Sequence, residues 1–500
     1  MKSLRTVKSY VDSKIMRRSL PALLILFILS YQVHAQNSSY NGNTIPINGS
    51  FSTAFGYQSL FNNGGANNTA SGAYALNLNS SGVSNTATGT SSLRLNTTGY
   101  YNTATGHNSL YYNTASGNTA NGYNSLFTNS TGTANTASGY NSLFTNTTGN
   151  YNTATGYNSL YFNNAIYNTA NGYHSLYTNT SGSYNTANGG NSLYLNNAGA
   201  YNTANGCNSL YTNTSGSYNT ANGAFALYAN STGSNNAANG DNSLNSNSTG
   251  NYNAANGSSA LSNNFTGNNN SANGAFAIFS NITGNDNSAN GASALAFNNS
   301  GSRNTAEGIY SLYSNVTGSN NTALGDSAGY NSLGNGNVFI GFRAGINETG
   351  SNKMYIGNNV FKTLMYGEFS TGQLLFGNTN PTGYVFKGNR TLNVIGGIIS
   401  DSVRVALSNT WADYVFAEDY TLKPLNELDT YIKVNKHLPN IPSADEVKKN
   451  GIDVADMNAK LLEKIEELHL YVLQLQKQSE MQEKQISKQQ EQIDELLKSR

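Results

Sequence analysis

Tyr151-Asn152-Thr153-Ala154-Thr155-Gly156-Tyr157-Asn158-Ser159-Leu160-Tyr161 is one copy of a phrase that returns, with small changes, from about residue 51 to residue 325. Each copy is followed by a polar turn, usually closed by Thr-Gly or Ser-Gly. The glycine two residues after the alanine marks the copies, from Gly56 and Gly72 through Gly308 and Gly325: seventeen in all, with steps of 17 residues and occasionally 16. A fixed period of this length implies a solenoid in which each repeat is one coil stacked on its neighbours.

Alanine precedes every marker glycine by two residues, from Ala54 to Ala323, and leucine follows it by four in 15 of 17 copies, with Ile278 and Gly329 as the departures. These columns read as the inward positions, represented by Ala104, Leu110, Ala137, Leu143, Ala170, Leu176, Ala204 and Leu210. Ala and Gly, two apart, share one face of a short strand, and the Thr, Ser or Asn beside them point the other way. The Asn/Ser/Thr/Gly clusters supply turns, because glycine tolerates positive φ and Asn or Ser bonds its local backbone. Each coil is therefore predicted to hold two short strands and two turns. Parallel stacking at about 4.8 Å gives a rod of roughly 80 Å.

The residue after the leucine is aromatic in 11 of the first 16 coils, including Tyr111, Phe127, Phe144, Tyr161, Tyr177, Tyr194 and Tyr211. Neighbours on a strand face opposite ways, so these rings are predicted to line the outside of the rod. One leucine and one alanine per coil are a thin interior against the backbone entropy of ordering seventeen residues. The ring stripe is thus read as an interface with further copies of the chain, with an exposed adhesive surface as the alternative.

The repeat resembles the head of YadA-like trimeric autotransporter adhesins, in which Ala-x-Gly repeats build a parallel β-roll that trimerises side by side. The resemblance implies a homotrimer and an adhesive role. The period here is longer than that family's, and the chain lacks its membrane-anchoring β-barrel.

Lys2, Arg5, Lys8, Lys14, Arg17 and Arg18 precede an apolar run from Leu20 to Tyr31, then Val33-His34-Ala35 before Gln36. That pattern is a secretory signal peptide cleaved between Ala35 and Gln36. The run of 12 is short for a membrane span, which needs about 20 apolar residues. Export to the cell surface or medium follows as the expectation, with residues 36–50 as a linker and no transmembrane anchor in the mature chain. Without residues 1–35 the chain carries 20 basic and 24 acidic residues, a net charge near −4. Between residues 37 and 340 the only charges are Arg94, Asp241, Asp286, Arg303, Glu307 and Asp326. No basic patch recommends nucleic acid, and recognition by this rod has to use hydrogen bonds and aromatic contact.

Cys207, His107 and His174 are read as occupants of one variable slot beside the marker glycine, and no metal or cofactor site is expected. Thr-Ala-Thr columns such as Thr103 with Thr105 resemble the threonine arrays of ice-binding solenoids, but the column decays to Ala237, Ala254, Ser271 and Ser288.

After the head at 51–359, residues 360–399 read as a β-rich neck. Residues 400–458 read as a small α+β module, with a helix over Leu425 to Val434 and a second helix capped by Ser443 and Glu446. This module resembles the C-terminal region of secreted tail-fibre-like proteins of the Bacteroidetes, related to the endosialidase-type intramolecular chaperone. That resemblance implies assembly of a trimeric fibre and serine-dependent self-cleavage. Ser400-Asp401 with Arg404 keeps part of the motif, at altered spacing and without the lysine, so Ser400 is the one candidate nucleophile.

Residues 459–500 read as a coiled coil whose seam is Leu461, Ile465, Leu468, Val472, Leu475, Ser479, Gln482, Ile486, Gln489, Ile493 and Leu496. β-Branched residues at one seam position and leucine at the other favour two strands, the two glutamines weaken that preference, and the head argues for three. The fold class is mostly β: a parallel β-solenoid of about 17 coils, a small α+β module and a helical coiled coil.

Overall fold

The computed structural model describes residues 37–40, 51–359, 362–379, 384–386, 390–405 and 411–499. The chain divides into two units, Met1–Gly396 and Gly397–Arg500, each taken here by itself. The predicted signal cleavage site at Ala35 and Gln36 lies outside the described residues.

The first unit is a parallel β-solenoid of 17-residue period. Twenty short strands, from Asn37–Tyr40 through Ser52–Phe55 to Val338–Ile340 and Lys353–Ile356, form one ladder among the described residues. Stacking is in register: Thr103 faces Thr119 and Ala104 faces Ala120, and Asn37–Tyr40, placed in the linker by sequence, pairs with Ser52–Phe55. The ladder turns antiparallel only at Thr363–Glu368 and Gln373–Thr379, after which Leu392–Val394 adds in parallel.

Every inward Ala and Leu named above is fully buried. The coil around them differs from the expectation in one respect: it has one strand, not two. The strand is three residues, such as Thr103–Thr105, and it ends before the marker glycine. Gly106 has φ 122° and turns the corner, so it is not a second inward residue. The leucine segment is a chain of turns in which Asn108 (φ 56°) and Leu110 (φ 50°) are left-handed. Left-handed leucine is costly, but it aims successive N–H groups at both neighbours. Asn108 N–H donates to Thr90 O in the coil before at 3.0 Å, and Leu110 N–H to Ser125 O in the coil after at 3.0 Å. The backbone's hydrogen bonds are thereby met without a β-strand.

The interior also holds polar columns that the sequence reading assigned to turns. Asn152 is fully buried. Its Nδ2 donates to Ala165 O at 2.8 Å and to Asn135 Oδ1 at 3.1 Å, and its Oδ1 accepts from Asn168 N–H at 2.9 Å. Asn163 heads a second buried column, donating to Asn146 Oδ1 and accepting from Asn179 Nδ2. The serine or alanine before each leucine is buried too, and where it is serine, as at Ser159, its Oγ donates to the marker glycine's O, here Gly156 at 3.2 Å. Buried polar networks stabilise only when satisfied, and here the amides cap the turn carbonyls and the N–H just before the next strand.

At the far end the interior changes size. Gly329 and Gly345 stand where leucine is expected because Phe339 fills both spaces: a Cβ on either would lie 2.4 or 2.3 Å from its ring. Tyr355, Tyr366 and Leu375 continue this larger core. Tyr366 donates to Glu368 at 2.7 Å, and Lys353 pairs with the same carboxylate at 2.6 Å. Tyr355 OH donates to Glu348, and burial first, then the Glu348 and Glu368 carboxylates, push the Tyr355 and Tyr366 phenols well above their ordinary range.

Among its described residues the second unit contains a short 3-10 turn, Ala412–Phe416, and three helices: α1 (Leu425–Asn435), α2 (Ala444–Asn450) and α3 (Val454–Lys498). α2 carries the capping box read from Ser443 and Glu446. α1 spans the expected residues, but it buries none of them.

Candidate functional site

Two surfaces are candidates: the ring-bearing sides of the solenoid and the apolar seam of α3. On the solenoid the predicted stripe forms one ladder inside the chain. Tyr111, Phe127, Phe144, Tyr161, Tyr177, Tyr194, Tyr211 and Tyr228 stack in sequence with centroids 5.0 to 5.3 Å apart. The rings are half-buried because each covers the next, so ring-on-ring contact occurs within one copy. Burial, then neighbouring tyrosines, raises the Tyr161, Tyr177, Tyr194 and Tyr211 phenols above 10.0.

Two further ring columns went unread. The slot after the marker glycine, taken as variable, stacks His107, Tyr123, Tyr140, Tyr157 and Tyr173 at 5.1 to 5.5 Å. The slot before the strand stacks Tyr151, Tyr167, Tyr184, Tyr201 and Tyr218 at 4.8 to 5.0 Å. The 17-residue phasing that exposed the leucines would have exposed these columns. His174 belongs to neither: it sits one place further on, beside Asn158, whose Nδ2 is 3.1 Å from its Nε2. It does not share the slot of Cys207 as the sequence reading had it, and burial lowers its pKa.

Between the last two columns runs the outward face of the strands. From Asn171 to Asn256 its second residue is asparagine, each Nδ2 donating to the next Oδ1 at 2.8 to 2.9 Å. From Thr169 to Asn222 the face is a neutral strip of amides and hydroxyls, bordered on one side by Tyr167, Tyr184, Tyr201 and Tyr218.

On α3 the seam residues Leu461, Ile465, Leu468, Val472, Leu475, Ile486, Ile493 and Leu496 are 45 to 68 % exposed. The opposite side of the helix is sealed by its own chain. Tyr414 OH donates to Glu463 Oε2 at 2.6 Å, Asn440 Nδ2 to Glu463 Oε1 at 3.1 Å, Tyr420 OH to Glu467 and Tyr471 OH to Lys423 O. Lys464 closes the cluster, 2.6 Å from Glu463 and 2.9 Å from Glu467. The hydrogen bond to Glu463 is the main reason the Tyr414 phenol is pushed up to about 12. From Glu463 to Tyr471 the polar side of α3 is thus spent within the chain and the apolar side is not; from Val472 to Lys498 the helix is exposed all round.

Ser400 is exposed, and its hydroxyl donates to Ser402 O at 2.7 Å. Among the described residues no histidine, lysine or carboxylate hydrogen-bonds to it, which is what activation of a serine requires. His437 Nδ1 meets Leu438 O at 2.9 Å. Among the described residues no three His, Cys, Asp or Glu side chains converge on a metal position, and no helix is long and apolar enough to cross a membrane. No family model, no curated protein and no solved structure matches this chain.

Proposed function

We propose that the chain is an exported, self-associating fibrous protein of adhesive or structural function. Its solenoid presents a long neutral face, and α3 joins the copies as a homotrimer. The observation that carries the reading is the division of α3: near its start one side is covered by Tyr414, Tyr420 and Asn440, and the seam on the other side, apolar except at Ser479, Gln482 and Gln489, is left uncovered. A heptad seam of this length is stabilised by burying it against copies of itself. The number three rests on the resemblance of the head repeats to trimeric adhesins.

The rings of the solenoid stack on one another within the chain, which supports placing the interface on α3 rather than along the rod. The face is then free for another surface. Its charges are few and its side chains are amides, hydroxyls and phenols, so its contacts are hydrogen bonds and ring packing, with weak dependence on salt. Joining copies adds avidity to weak contacts.

The test compares residues 36–500 with a variant carrying Ile465→Ser, Leu468→Ser and Val472→Ser, for retention on cell surfaces and immobilised glycans. The parent is expected to be retained and the variant to wash off at the same chain concentration. Equal retention of both, or of neither, contradicts the reading.

A further inference from the structure

We propose that the end of the tyrosine column at Tyr173, where Gly190 follows, is a binding slot for one pyranose ring of a neutral glycan, a proposal that deepens the adhesive reading above by naming its ligand class. The column after the marker glycine runs Tyr123, Tyr140, Tyr157, Tyr173 and then, one coil on, has no side chain at all. An added Cβ at Gly190 would meet nothing within 4 Å. The next coil places Cys207 in the same column, with an exposed thiol. Two coil steps, roughly 10 Å, therefore separate the Tyr173 ring from the Cys207 level, and one flat ring at half that distance continues the stack.

The upper wall is an aromatic face. Tyr157 stacks on Tyr173 at 5.5 Å and His174 at 3.8 Å, and His174 is also 5.7 Å from Tyr157. Both partners accordingly crowd one face of Tyr173 and leave the other turned toward the empty level. The side wall is amide. Residues one place after the column border it, as His174 borders Tyr173, so Asn191 and Asn208 flank the slot. Asn191 Nδ2 donates to Asn208 Oδ1 at 3.1 Å. Asn191 Oδ1 and Asn208 Nδ2 are then an acceptor and a donor with no partner among the described residues.

This combination selects the ligand. A pyranose has an apolar C–H face that packs on a phenol ring and hydroxyls at its edge that both donate and accept. The side chains that bound the slot carry no charge, so an anionic or cationic ligand would find no counter-ion.

Alkylation of Cys207 by iodoacetamide reads occupancy, on residues 36–500, with cellohexaose, mannohexaose and N-acetylchitohexaose as probes and calorimetry as an independent measure. At least one sugar is expected to slow alkylation about tenfold when present at about ten times its dissociation constant. Gly190→Tyr, which fills the level, and Tyr173→Ala, which removes the wall, are expected to abolish the calorimetric signal with far-UV circular dichroism unchanged. Ala224→Tyr, one coil beyond Cys207, is expected to retain it. The slot is overturned if no sugar binds, if Gly190→Tyr binds as the parent does, or if tyrosinamide protects Cys207 and the sugars do not. If Gly190→Tyr still adheres to surfaces while no sugar binds, the slot falls and the adhesive reading stands. Sugar binding by a chain that adheres to nothing has the opposite meaning.

Discussion

Asn152 does three jobs from one buried position: it caps a turn carbonyl, receives the N–H of Asn168 just before the next strand and joins its amide to the coil before. Replacing it by alanine strands those groups in a closed interior, and each unsatisfied group costs about 1–3 kcal/mol. Asn152→Ala is expected to lower the melting temperature clearly, whereas Thr155→Ala on the exposed face stays within about 0.5 kcal/mol of the parent; equal melts would refute a structural role for the column. Glycines sort in the same way. Gly156 has φ 126°, and a Cβ there would sit 2.5 Å from Gly172 O in the adjoining coil. Gly156→Ala should cost roughly 1–3 kcal/mol, and Gly190→Ala, with open space around it, should cost little. Denaturant melts of the two variants decide this. Asparagine is a frequent turn residue, which hides its buried role; what betrays the column is its unbroken recurrence two residues before the inward alanine, from Asn68 to Asn321.

At the scale of elements, the stacked tyrosines make the solenoid sensitive to alkali. Tyr161, Tyr177, Tyr194 and Tyr211 keep their protons above the ordinary 10.0 because burial, and then neighbouring phenolates, oppose ionisation. An acid whose folded pKa is raised leaves stability intact below the unfolded value. That stability is lost as the pH climbs past 10 toward the folded values. Circular dichroism and phenolate absorbance followed from pH 8 upward are expected to change together, and Tyr177→Phe with Tyr194→Phe to move the loss to higher pH. Ionisation of these phenols at 10 with no structural loss would count against the ladder. The alanine and leucine columns were legible because period and polarity agree. The second strand was not, since Asn108 and Leu110 adopt left-handed turns that inter-coil hydrogen bonds hold against local preference. On α3 the seam was legible from its alternation of three and four; the charged side was not, because its partners Tyr414, Tyr420 and Asn440 lie 23 to 49 residues away.

The whole molecule combines a solenoid closed upon itself with a helix that is not. Buried alanine, leucine, serine and two asparagine columns, together with rings that cover one another, let each coil stand on the next within one chain. Association is proposed to belong to α3. Light scattering on residues 36–500, beside the variant with serine at 465, 468 and 472, tests that division most directly. The account predicts a three-chain mass for the parent, and a one-chain mass with the solenoid's circular dichroism intact for the variant. A single-chain parent, or a variant whose solenoid unfolds on dissociation, would contradict it.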